Sequence, residues 1–327
     1  MNNQIDEILS KSKSVAIIGH INPDGDCFGS ISGVYDYVKT KFDCIIHCFA
    51  DCNTVAEEFE PFVNDLIFNP DPLTSYDACI CVDTADLNRL GKYTDIFNSS
   101  AFTICIDHHS TNTNFAQINL INTRASNCEN IYHLLKDSNF TISKSLAGKL
   151  FTGIITDTNN LSTNSVTAES YFTVAELKQK GIDSYRIKNF FFGGNSFAQF
   201  KILTLAMNSA KFYNNNTIMI MEITQDQMNE VGAIQEDLNP IIGQAFCMKH
   251  ALCALLISPR NNQTHISLRA KNNIDVSVIA QSFSGGGHKA AAAFTASEFS
   301  QNDLQYIIDV LSRQINSLPE DNSRLFN

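Results

Sequence analysis

Histidine and aspartate side chains are concentrated in a short segment near the start of the chain. His20, Asp24 and Asp26 follow the apolar run Val15–Ile18, and a proline and a glycine among them favour a turn. This order predicts a strand that ends in a turn carrying one imidazole and two carboxylates. Packing alone does not account for these groups, whereas imidazole nitrogens and carboxylate oxygens are ligands of divalent cations. We therefore expect a metal site here.

Three later segments have the same form, an apolar run that ends in an acid. Ile80–Val82 leads to Asp83, Ile104–Ile106 leads to Asp107, His108 and His109, and Ile154–Thr156 leads to Asp157. The carboxyl ends of the strands in an open α/β sheet converge on one crevice. We therefore expect these side chains to meet in one place: His20, Asp24, Asp26, Asp83, Asp107, His108, His109 and Asp157.

Electrostatic repulsion indicates that these acids could lie close together only with positive charge beside them. Two carboxylates about 4 Å apart repel each other by roughly 4 kcal/mol at an effective dielectric constant near 20. No comparable run of lysine or arginine accompanies these motifs, whereas divalent cations would make the interaction favourable. Oxygen ligands mixed with imidazole suit manganese, and also magnesium, iron or zinc. A lone aspartate at a strand end is most often a helix cap or turn former. The prediction therefore rests on the order that the four segments share. Together they predict a site for two cations that promote phosphoryl hydrolysis.

A glycine-rich segment towards the end of the chain predicts a second kind of site. An alanine run follows the residues Gly285, Gly286, Gly287, His288 and Lys289. We interpret the glycines as a loop before a helix, whose backbone N–H groups would bind an anion. Arg269, at the end of a predicted strand, would add a bidentate grip on phosphate. A tight turn without a ligand is the alternative, but beside a metal crevice the segment favours a site closed between two domains.

Short apolar runs alternate with helical patterns through the first half of the chain. Strands are predicted at Val15–Gly19, Cys44–Phe49, Ala78–Val82 and Phe102–Ile106, and helices at Ser30–Thr40, Val55–Phe62, Cys128–Lys136, Ser145–Ile155 and Thr167–Lys180. Runs that are apolar throughout suit parallel strands buried on both faces. The sequence therefore predicts an α/β fold with an N-terminal, mostly parallel open sheet flanked by helices.

A second αβ pattern follows a hinge-like segment rich in glycine, asparagine and serine. Its predicted elements are helices at Phe197–Ala210 and Asp226–Val231 and strands at Thr217–Ile223, Ala251–Ser258 and Thr264–Ala270. We predict a smaller C-terminal α/β domain with a mixed sheet. The expected organisation is a catalytic metal-binding domain at 1–190, a linker at 191–200 and a substrate-binding domain at 201–327.

Composition restricts the environment and the partners of the protein. The 327 residues are 44% hydrophobic and 17% charged with a net charge of −11, which indicates a folded protein and disfavours broad binding to nucleic-acid backbone. A polar start and the lack of an apolar run of ~18 residues predict no membrane association and a cytoplasmic location. The ten cysteines are expected to stay reduced there. We therefore predict ordinary thiols, not a zinc site, at Cys44, Cys48 and Cys52.

Taken together, these motifs resemble the DHH phosphoesterases that carry an associated C-terminal domain with a Gly-Gly-Gly-His motif. The segment from His20 to Asp26 is similar to the first motif of that family, Asp83 to the second, Asp107–His109 to the third and Asp157 to the fourth. The resemblance covers almost the whole chain. In length and layout it favours the branch of nano-RNA exonucleases that also act on 3′-phosphoadenosine 5′-phosphate (pAp).

The resemblance implies roles for the individual residues. One manganese ion would be held by His20, Asp24 and Asp83, and the other by Asp26, Asp83, His108 and Asp157. Asp107 would orient a histidine, and His109 would lie beside the scissile phosphate. The distal phosphate or base would be bound by Arg269, Gly285, Gly286, Gly287, His288 and Lys289. Two departures bear on substrate preference, namely Thr158–Ser162, which lacks a Gly-x-Phe-Arg-like run, and Ala293, where the family usually has glycine.

The expected activity is manganese-dependent release of nucleoside 5′-monophosphates from very short single-stranded RNA, together with dephosphorylation of pAp. Hydrolysis of cyclic or linear di-adenylate is the close alternative. A non-catalytic nucleotide sensor on the same scaffold is the alternative from another class. The oligomeric state does not follow from the sequence, and a homodimer is included among the expectations.

Overall fold

The computed structural model describes residues 3–52, 54–194, 196–238 and 240–318. The chain divides into two compact units, residues 1–194 and 195–327, which we call unit 1 and unit 2. Each unit has its own sheet and its own hydrophobic core. The predicted α/β class, with a parallel sheet followed by a mixed sheet, is confirmed.

Helices and strands alternate through the first part of unit 1. The described elements are α1 (Asn3–Lys11), β1 (Ser14–Ile18), α2 (Gly25–Lys41), β2 (Ile45–Phe49), α3 (Glu60–Val63), β3 (Ala78–Val82), α4 (Thr94–Ser99), β4 (Phe102–Asp107), β5 (Ile118–Ile121), α5 (Asn127–Asp137), α6 (Lys144–Asp157), α7 (Ala168–Gln179) and α8 (Ser184–Phe192). Short 3₁₀ helices lie at Glu57–Phe59 and Leu87–Tyr93. The predicted helix Val55–Phe62 is therefore wrong in extent, because Pro61 lacks an N–H and is tolerated only in a first helical turn.

The sheet of unit 1 is parallel throughout, in the order β2-β1-β3-β4-β5. Along β1, Val15 and Ile17 face one buried cluster formed with α2, α5 and α6, while Ala16 and Ile18 face another formed with α4 and the 3₁₀ helix before it. Burial on both faces explains why the strands are apolar at every position. The chain moves from β1 to β2 on one side and returns to β3 on the other, which creates the switch point at which α/β proteins bind ligands.

Glycines allow α2 to pack closely against α6 and the start of α5. A Cβ at Gly25 would lie 2.5 Å from Oγ1 of Thr156, and a Cβ at Gly153 would overlap Sγ of Cys128 and lie 3.0 Å from Cα of Asp26. Side chains at these positions would push the helices apart. The close approach brings the C-terminal end of α6 to the same edge of the sheet as the N-terminal end of α2.

Unit 2 is built on a six-stranded mixed sheet. Its described elements are α9 (Phe197–Asn208), β6 (Lys211–Tyr213), β7 (Ile218–Glu222), α10 (Gln225–Val231), α11 (Ile241–Gln244), β8 (Cys253–Arg260), β9 (Gln263–Ala270), α12 (Ser277–Ser282), β10 (Gly286–His288), β11 (Ala291–Ala296) and α13 (Gln301–Asn316). Short 3₁₀ helices lie at Gln235–Leu238 and Ala245–Cys247. The strand order is β10-β11-β9-β8-β7-β6, with β7 and β8 parallel and the other pairs antiparallel.

The glycine-rich segment does not precede a helix, contrary to the prediction. Gly286–His288 forms β10, which pairs with β11, and the alanine run is therefore a strand. Ala292 and Phe294 alternate into the core of unit 2, so tertiary pairing overrides the helical propensity of alanine. Gly287 has a φ of +137°, and a Cβ there would lie 2.5 Å from Cα of Ala292. The tight hairpin consequently requires glycine at this position.

Two further features bear on the sequence predictions. No helix among the described residues is long and apolar enough to span a membrane. The ten cysteines are all free thiols. Among the described residues, Cys44, Cys48 and Cys52 belong to none of the groups whose ligand atoms could share a metal ion.

Candidate functional site

Neighbouring strands position the first acids and imidazoles. β1 ends two residues before His20, β3 ends immediately before Asp83, and β4 ends at Asp107. These three strands are adjacent in the sheet, so the residues that follow them lie at one carboxyl edge. The structure thus brings together residues separated by 87 positions in the chain (20 to 107).

Asp83 lies at the centre of the cluster. Its Oδ2 is 3.4 Å from Nε2 of His20, and its Oδ1 is 3.4 Å from Nε2 of His108. The residue is 3% exposed, and its Oδ1 has no hydrogen-bond partner among the described residues. Its φ of +54° is the left-handed conformation, which non-glycine residues adopt at a cost and which is common at functional sites. A buried carboxylate oxygen without a donor requires a ligand, and a cation would satisfy it.

Backbone carbonyls orient the two imidazoles that flank Asp83. Nδ1 of His20 donates to the carbonyl of Ile21 at 2.8 Å, and Nδ1 of His108 donates to the carbonyl of Arg124 at 3.2 Å. Because each Nδ1 is occupied in this way, each Nε2 faces the carboxylates. This arrangement of ring nitrogens is typical of histidines that bind metal through Nε2.

Asp26 is held by the start of α5. Its Oδ2 accepts the backbone N–H of Asn127 at 2.6 Å, and its Oδ1 accepts that of Cys128 at 2.8 Å. The first N–H groups of a helix have no partner within the helix and carry partial positive charge. They therefore stabilise a buried carboxylate at this position, 3.9 Å from Nε2 of His108.

Asp24 and Asp157 come to the cluster from helix ends. Asp24 caps α2, and its Oδ1 accepts the backbone N–H groups of Asp26 at 3.0 Å and Cys27 at 3.1 Å. That oxygen is also 3.8 Å from Nε2 of His20. Asp157 is the last residue of α6, and its Oδ2 is 3.8 Å from Nε2 of His108. The helix predicted at Ser145–Ile155 is thus present and extends to Asp157, so this acid comes to the edge from a helix and not from a strand as the other segments do.

The pKa values of the imidazoles report the surrounding negative charge. Burial would lower the pKa of His20, but hydrogen bonding to Asp24 and Asp83 raises it to about 10. Burial likewise opposes charge on His108, whereas the nearby carboxylates of Asp83 and Asp26 raise its pKa to about 10. Without a metal ion, protons on these rings would balance the acids.

The pKa values of the acids in this crowded cluster shift in opposite directions. Burial would raise the pKa of Asp83, but contacts with His108 and His20 hold it well below its usual range. Burial and the charge of Asp83 raise the pKa of Asp26 well above its usual value. Burial raises the pKa of Asp157 to about 6, and the charges of Asp83 and Asp24 add to this effect while that of His108 opposes it. Such opposed shifts within one cluster are a feature of functional sites.

Three overlapping groups of side chains could hold a cation. Their ligand atoms lie within 4.8 Å of one another in the sets His20, Cys27, Asp83; Asp83, His108, His109; and Asp26, His108, Asp157. Cys27 is not among the predicted ligands. Burial and the charges of Asp83 and Asp24 raise the pKa of its thiol well above the usual value, and a neutral thiol is a poor ligand. The remaining oxygen and imidazole donors fit manganese or magnesium.

Asp107 is fully buried and faces His109. Its Oδ1 accepts from Nδ1 of His109 at 2.7 Å, and its Oδ2 accepts from Nδ2 of Asn112 at 2.6 Å. The same amide also donates to the carbonyl of Thr84 at 2.9 Å. Nε2 of His109, on a side chain that is 39% exposed, remains available to a substrate.

Several residues that hold this cluster together could not be identified from the sequence. Asn127 and Cys128 act through backbone N–H groups, and Arg124 acts through its carbonyl. Asn112 and Asn130 act through side-chain amides that bond to Asp107, the latter at its backbone carbonyl. Only Ser126, which caps α5, has a recognisable local pattern, because serine followed three residues later by glutamate predicts a helix start.

The predicted substrate-binding residues lie in unit 2. The strand pairing aligns His288, Ala291 and Arg269 in one row across β10, β11 and β9. Paired residues share a face of the sheet, so Arg269 and His288 lie on the same face, roughly 10 Å apart from two strand spacings. Gly285, Gly286, Gly287 and Lys289 belong to the turn and hairpin around this row. Their role as an anion site stays a prediction.

Comparison with known protein families agrees with the fold and the cluster. The DHH family, N-terminal domain, matches residues 14–154, and the DHHA1 domain matches residues 215–317. The chain therefore contains a DHH-family N-terminal domain followed by a DHHA1 domain, and the DHH-family phosphoesterases are hydrolases. The first match contains the cluster from His20 to His109 and ends just before Asp157, and the second contains Arg269 and the glycine hairpin.

Individual relatives are distant but match over most of their length. The bifunctional oligoribonuclease and PAP phosphatase NrnA of Thermus thermophilus is 23% identical over 86% of this chain and 83% of its own. An exopolyphosphatase-related protein from Bacteroides fragilis superposes with a TM-score of 0.81 at 22% identity, covering 95% of each chain. The exonuclease RecJ bound to manganese has a TM-score of 0.52 at 11% identity, covering 97% of this chain and 93% of its own. These structures share the fold.

Proposed function

We propose that this protein is a cation-dependent phosphoesterase that hydrolyses very short oligoribonucleotides to nucleoside 5′-monophosphates and removes the 3′-phosphate of pAp. The observation that carries the proposal is the position of Asp83. One oxygen of its buried carboxylate has no donor among the described residues, and an imidazole nitrogen lies 3.4 Å away on each side. Further acids adjoin it, so divalent cations are the ligands that fit.

The cation ligands divide into two sets that share Asp83. His20, Asp24 and Asp83 would hold one ion, and Asp26, Asp83, His108 and Asp157 would hold the other. The distances of 3.4–3.9 Å between the imidazole nitrogens and the carboxylate oxygens support both sets. Two cations held there would supply positive charge against phosphoryl oxygens and lower the pKa of water. Manganese is the first choice because the related RecJ structure holds it.

His109 and Asp107 would act on the substrate side of the cluster. Asp107 fixes the ring of His109 through the 2.7 Å contact at Nδ1 and so keeps Nε2 directed outwards. Asn112 restrains Asp107 in turn. A histidine held in one orientation can hold a proton against a phosphoryl oxygen or a leaving group.

The choice of substrate rests on the relatives. The Thermus thermophilus relative is named an oligoribonuclease and PAP phosphatase, and it matches this chain across both units. Short nucleotides also agree with a net charge of −11, which disfavours long nucleic acids. By the same analogy we assign residues 1–190 to catalysis, 191–200 to a linker and 201–327 to substrate binding.

One substrate panel tests the proposal. With Mn²⁺, the purified protein should shorten di- to pentaribonucleotides and convert pAp to AMP, as resolved by chromatography. Asp83→Ala should abolish turnover and Mn²⁺ binding. Unchanged turnover in Asp83→Ala would contradict the central role of this carboxylate.

A matched control is available three residues away. Asp86 caps the 3₁₀ helix Leu87–Tyr93 by accepting the N–H of Asn88, and it takes no part in the cluster. Asp86→Asn should therefore retain activity. Faster turnover of linear or cyclic di-adenylate than of pAp would replace the proposed substrate. Tight nucleotide binding without any turnover would make the protein a sensor.

A further inference from the structure

Glu129 is a buried acid of unit 1 that lies outside both proposed sets of cation ligands. The residue is 1% exposed and belongs to the first turn of α5, the helix whose first N–H groups hold Asp26. A glutamate is rarely buried to this extent unless charged or polar groups pair with it. The partners of Glu129 therefore indicate why it is buried there.

The two carboxylate oxygens of Glu129 contact two other parts of unit 1. Oε2 accepts a hydrogen bond of 2.9 Å from Oγ of Ser170 in α7, and Oε1 lies 3.5 Å from Nη1 of Arg124 in the segment before α5. In a capping box, a glutamate at this position would turn back to the N–H of the N-cap residue, here Ser126. Glu129 instead links α5 to α7 and to the segment that follows β5.

The contact with α7 comes from a hydroxyl that is itself held in place. Ser170 is fully buried, and its Oγ accepts the backbone N–H of Thr167 at 3.2 Å in the capping box that begins α7. A serine hydroxyl has one proton, so Ser170 donates it to Glu129 while it accepts from the backbone. The start of α7 therefore fixes one oxygen of the Glu129 carboxylate.

The contact with Arg124 leads to the cation cluster. The carbonyl of Arg124 accepts the hydrogen bond of 3.2 Å from Nδ1 of His108, while its guanidinium group pairs with Glu129. Residues 122–126 lie between β5 and α5 and belong to neither element. The hydrogen bonds of a sheet or helix consequently do not fix the Arg124 carbonyl, and side-chain contacts contribute to its position.

The ring of His108 connects this carbonyl to the proposed cation ligands. On the side opposite Nδ1, Nε2 of His108 lies 3.4 Å from Oδ1 of Asp83. A hydrogen bond at the second ring nitrogen sets the tautomer and the direction of a histidine that binds metal. Anything that displaces the Arg124 carbonyl therefore also redirects Nε2 of His108.

Electrostatic attraction keeps the side chain of Arg124 beside Glu129. A buried carboxylate that loses its cationic partner is strongly unfavourable, so the guanidinium group is held near Oε1. The Arg124 side chain is 33% exposed, which leaves the pair partly buried and its attraction only partly screened by solvent. This attraction restrains the backbone of Arg124 as well as its side chain.

We propose that Glu129 is a positioning residue of the cation site, which acts through Arg124 to fix the ring of His108 and the direction of its Nε2. The proposal rests on the proposed function, because it presupposes that His108 binds a cation. Glu129 itself touches neither the cation nor the substrate. Loss of its charge therefore weakens cation binding although every ligand remains present.

Glu129→Gln tests the charge of this side chain with little change in shape. The amide can still accept from Ser170, but it no longer attracts the guanidinium group of Arg124. Calorimetric titration of the full-length protein with Mn²⁺ should give an affinity about tenfold lower than that of wild type, as is typical when support behind a metal-binding histidine is lost. Wild-type Mn²⁺ affinity in this variant would overturn the proposal.

Glu176→Gln is the matched control. Glu176 also joins α7 to α5, because it accepts from the hydroxyl of Tyr132 at 2.6 Å and from Nζ of Lys136 at 2.6 Å, both in the second half of α5. Each substitution removes one negative charge and weakens one contact between the same two helices, so both variants should unfold at lower urea concentrations. Mn²⁺ affinity should fall in Glu129→Gln alone. Equal losses of affinity would leave Glu129 a purely structural role and contradict the proposal.

Variants of Arg124 show whether the effect passes through this residue. Arg124→Ala keeps the carbonyl that contacts His108 and removes only the side chain, yet it should lower Mn²⁺ affinity as Glu129→Gln does. Arg124→Lys retains a positive charge and should recover part of the loss. The double variant should bind Mn²⁺ about as Arg124→Ala does, because both changes break the same contact. Additive losses would exclude the path through Arg124.

Kinetics distinguish positioning of His108 from contact with the substrate. The Mn²⁺ concentration that gives half-maximal turnover of pAp should rise in Glu129→Gln and in Arg124→Ala. KM for pAp at saturating Mn²⁺ should stay near the wild-type value, because neither side chain binds the substrate. A raised KM in Arg124→Ala with unchanged Mn²⁺ affinity would make the arginine a substrate contact and refute the proposal.

Nuclear magnetic resonance separates the failure of this proposal from failure of the proposed function. In the metal-free, ¹⁵N-labelled protein, the Nδ1–H proton of His108, assigned with His108→Gln, should exchange slowly with water. Glu129→Gln should accelerate this exchange, whereas Glu176→Gln should not. That result would support the positioning of His108 even if the protein did not hydrolyse pAp, which would contradict the proposed function alone. Unchanged exchange in Glu129→Gln would refute the positioning role.

Discussion

Oδ2 of Asp26 accepts a 2.6 Å hydrogen bond from the backbone N–H of Asn127, a residue 101 positions later in the chain. This contact joins the turn after β1 to the first residue of α5. The neighbouring N–H of Cys128 bonds to the other oxygen, so the carboxylate is fixed at both atoms and retains lone pairs towards His108. The geometry of the cation cluster therefore depends on the stability of the first turn of α5.

Removing the cap of α5 should weaken cation binding as well as stability. Oγ of Ser126 accepts the N–H of Glu129 at 3.1 Å, and loss of such a cap costs about 1 kcal/mol. We expect Ser126→Ala to lower the free energy of unfolding by at least that amount, because the site is fully buried. Its Mn²⁺ affinity should also fall by several fold, as measured by calorimetry.

Ser143→Ala is the control for this experiment. Ser143 caps α6 with the same geometry, accepting the N–H of Leu146 at 3.1 Å, but at the end of the helix remote from Asp157. It should lose about 1 kcal/mol of stability and keep the wild-type Mn²⁺ affinity. Equal losses of Mn²⁺ affinity in the two variants would show that cation binding does not depend specifically on the start of α5.

Two glycines of α6 should respond to alanine in opposite ways. A Cβ at Gly153 would overlap Sγ of Cys128 and crowd Asp26, so Gly153→Ala should destabilise the protein by about 1–3 kcal/mol and reduce turnover. At Gly148 the nearest atom is 3.8 Å away, and alanine is the better helix former by up to about 1 kcal/mol. Gly148→Ala should therefore be neutral or stabilising with full activity. Urea unfolding and the pAp assay on both variants check the pair, and a destabilised Gly148→Ala would contradict the packing of α6.

Local patterns are sufficient to predict much of the fold and most of the acids in the cluster. The strands β1, β3 and β4 are short, apolar and followed by chemically distinctive residues, so sequence patterns alone place their ends in one crevice. The donors to Asp26 cannot be found in this way, because a backbone N–H leaves no mark in the sequence. The sequence predicts that Asp157 joins the cluster and that a helix precedes it, but the position of that helix follows from the packing of α2 on α6.

Tertiary pairing decides the features of unit 2 that the sequence predicts wrongly or incompletely. The alanine run favours a helix by propensity, yet pairing with β9 and β10 makes it a strand. The alternation of His265, Ser267 and Arg269 is visible in the sequence, but of the three only Arg269 has a predicted role. These three residues line a polar pocket together with residues of β8 and of the 3₁₀ helix Gln235–Leu238.

Cation removal should lower the stability of unit 1. A ligand that binds only the folded state adds about 2.7 kcal/mol at a free concentration 100 times its Kd. We therefore expect the unfolding temperature to rise when Mn²⁺ is added and to return to its metal-free value when a chelator is added. Asp83→Asn should abolish the increase, since it removes the carboxylate shared by both ligand sets, whereas Asp86→Asn should retain it. An equal Mn²⁺-dependent increase in Asp83→Asn would show that the ion binds elsewhere.

The carboxylate of Asp77 should contribute stability that is lost in acid. It accepts the backbone N–H groups of Lys13 at 2.7 Å and Ser14 at 3.0 Å, which ties the start of β1 to the start of β3 at the edge opposite the cluster. The hydrogen bond from Lys13 lowers the pKa of Asp77 below its usual value. A group with a lowered pKa in the folded state stabilises the protein above its unfolded pKa, near 4, and loses that effect as the pH falls.

At pH 7 the free energy of unfolding of Asp77→Ala should therefore be about 1 kcal/mol lower than that of wild type. This difference should shrink below pH 4. Asp71→Ala is the control, because Asp71 is exposed and has no hydrogen bond within the described residues. Urea unfolding at a series of pH values measures both variants against wild type. Because Asp77 is remote from the cluster, its removal should leave Mn²⁺ affinity unchanged. A difference that grows towards acid pH would contradict the lowered pKa, since the sign of the pH dependence follows from the direction of the shift.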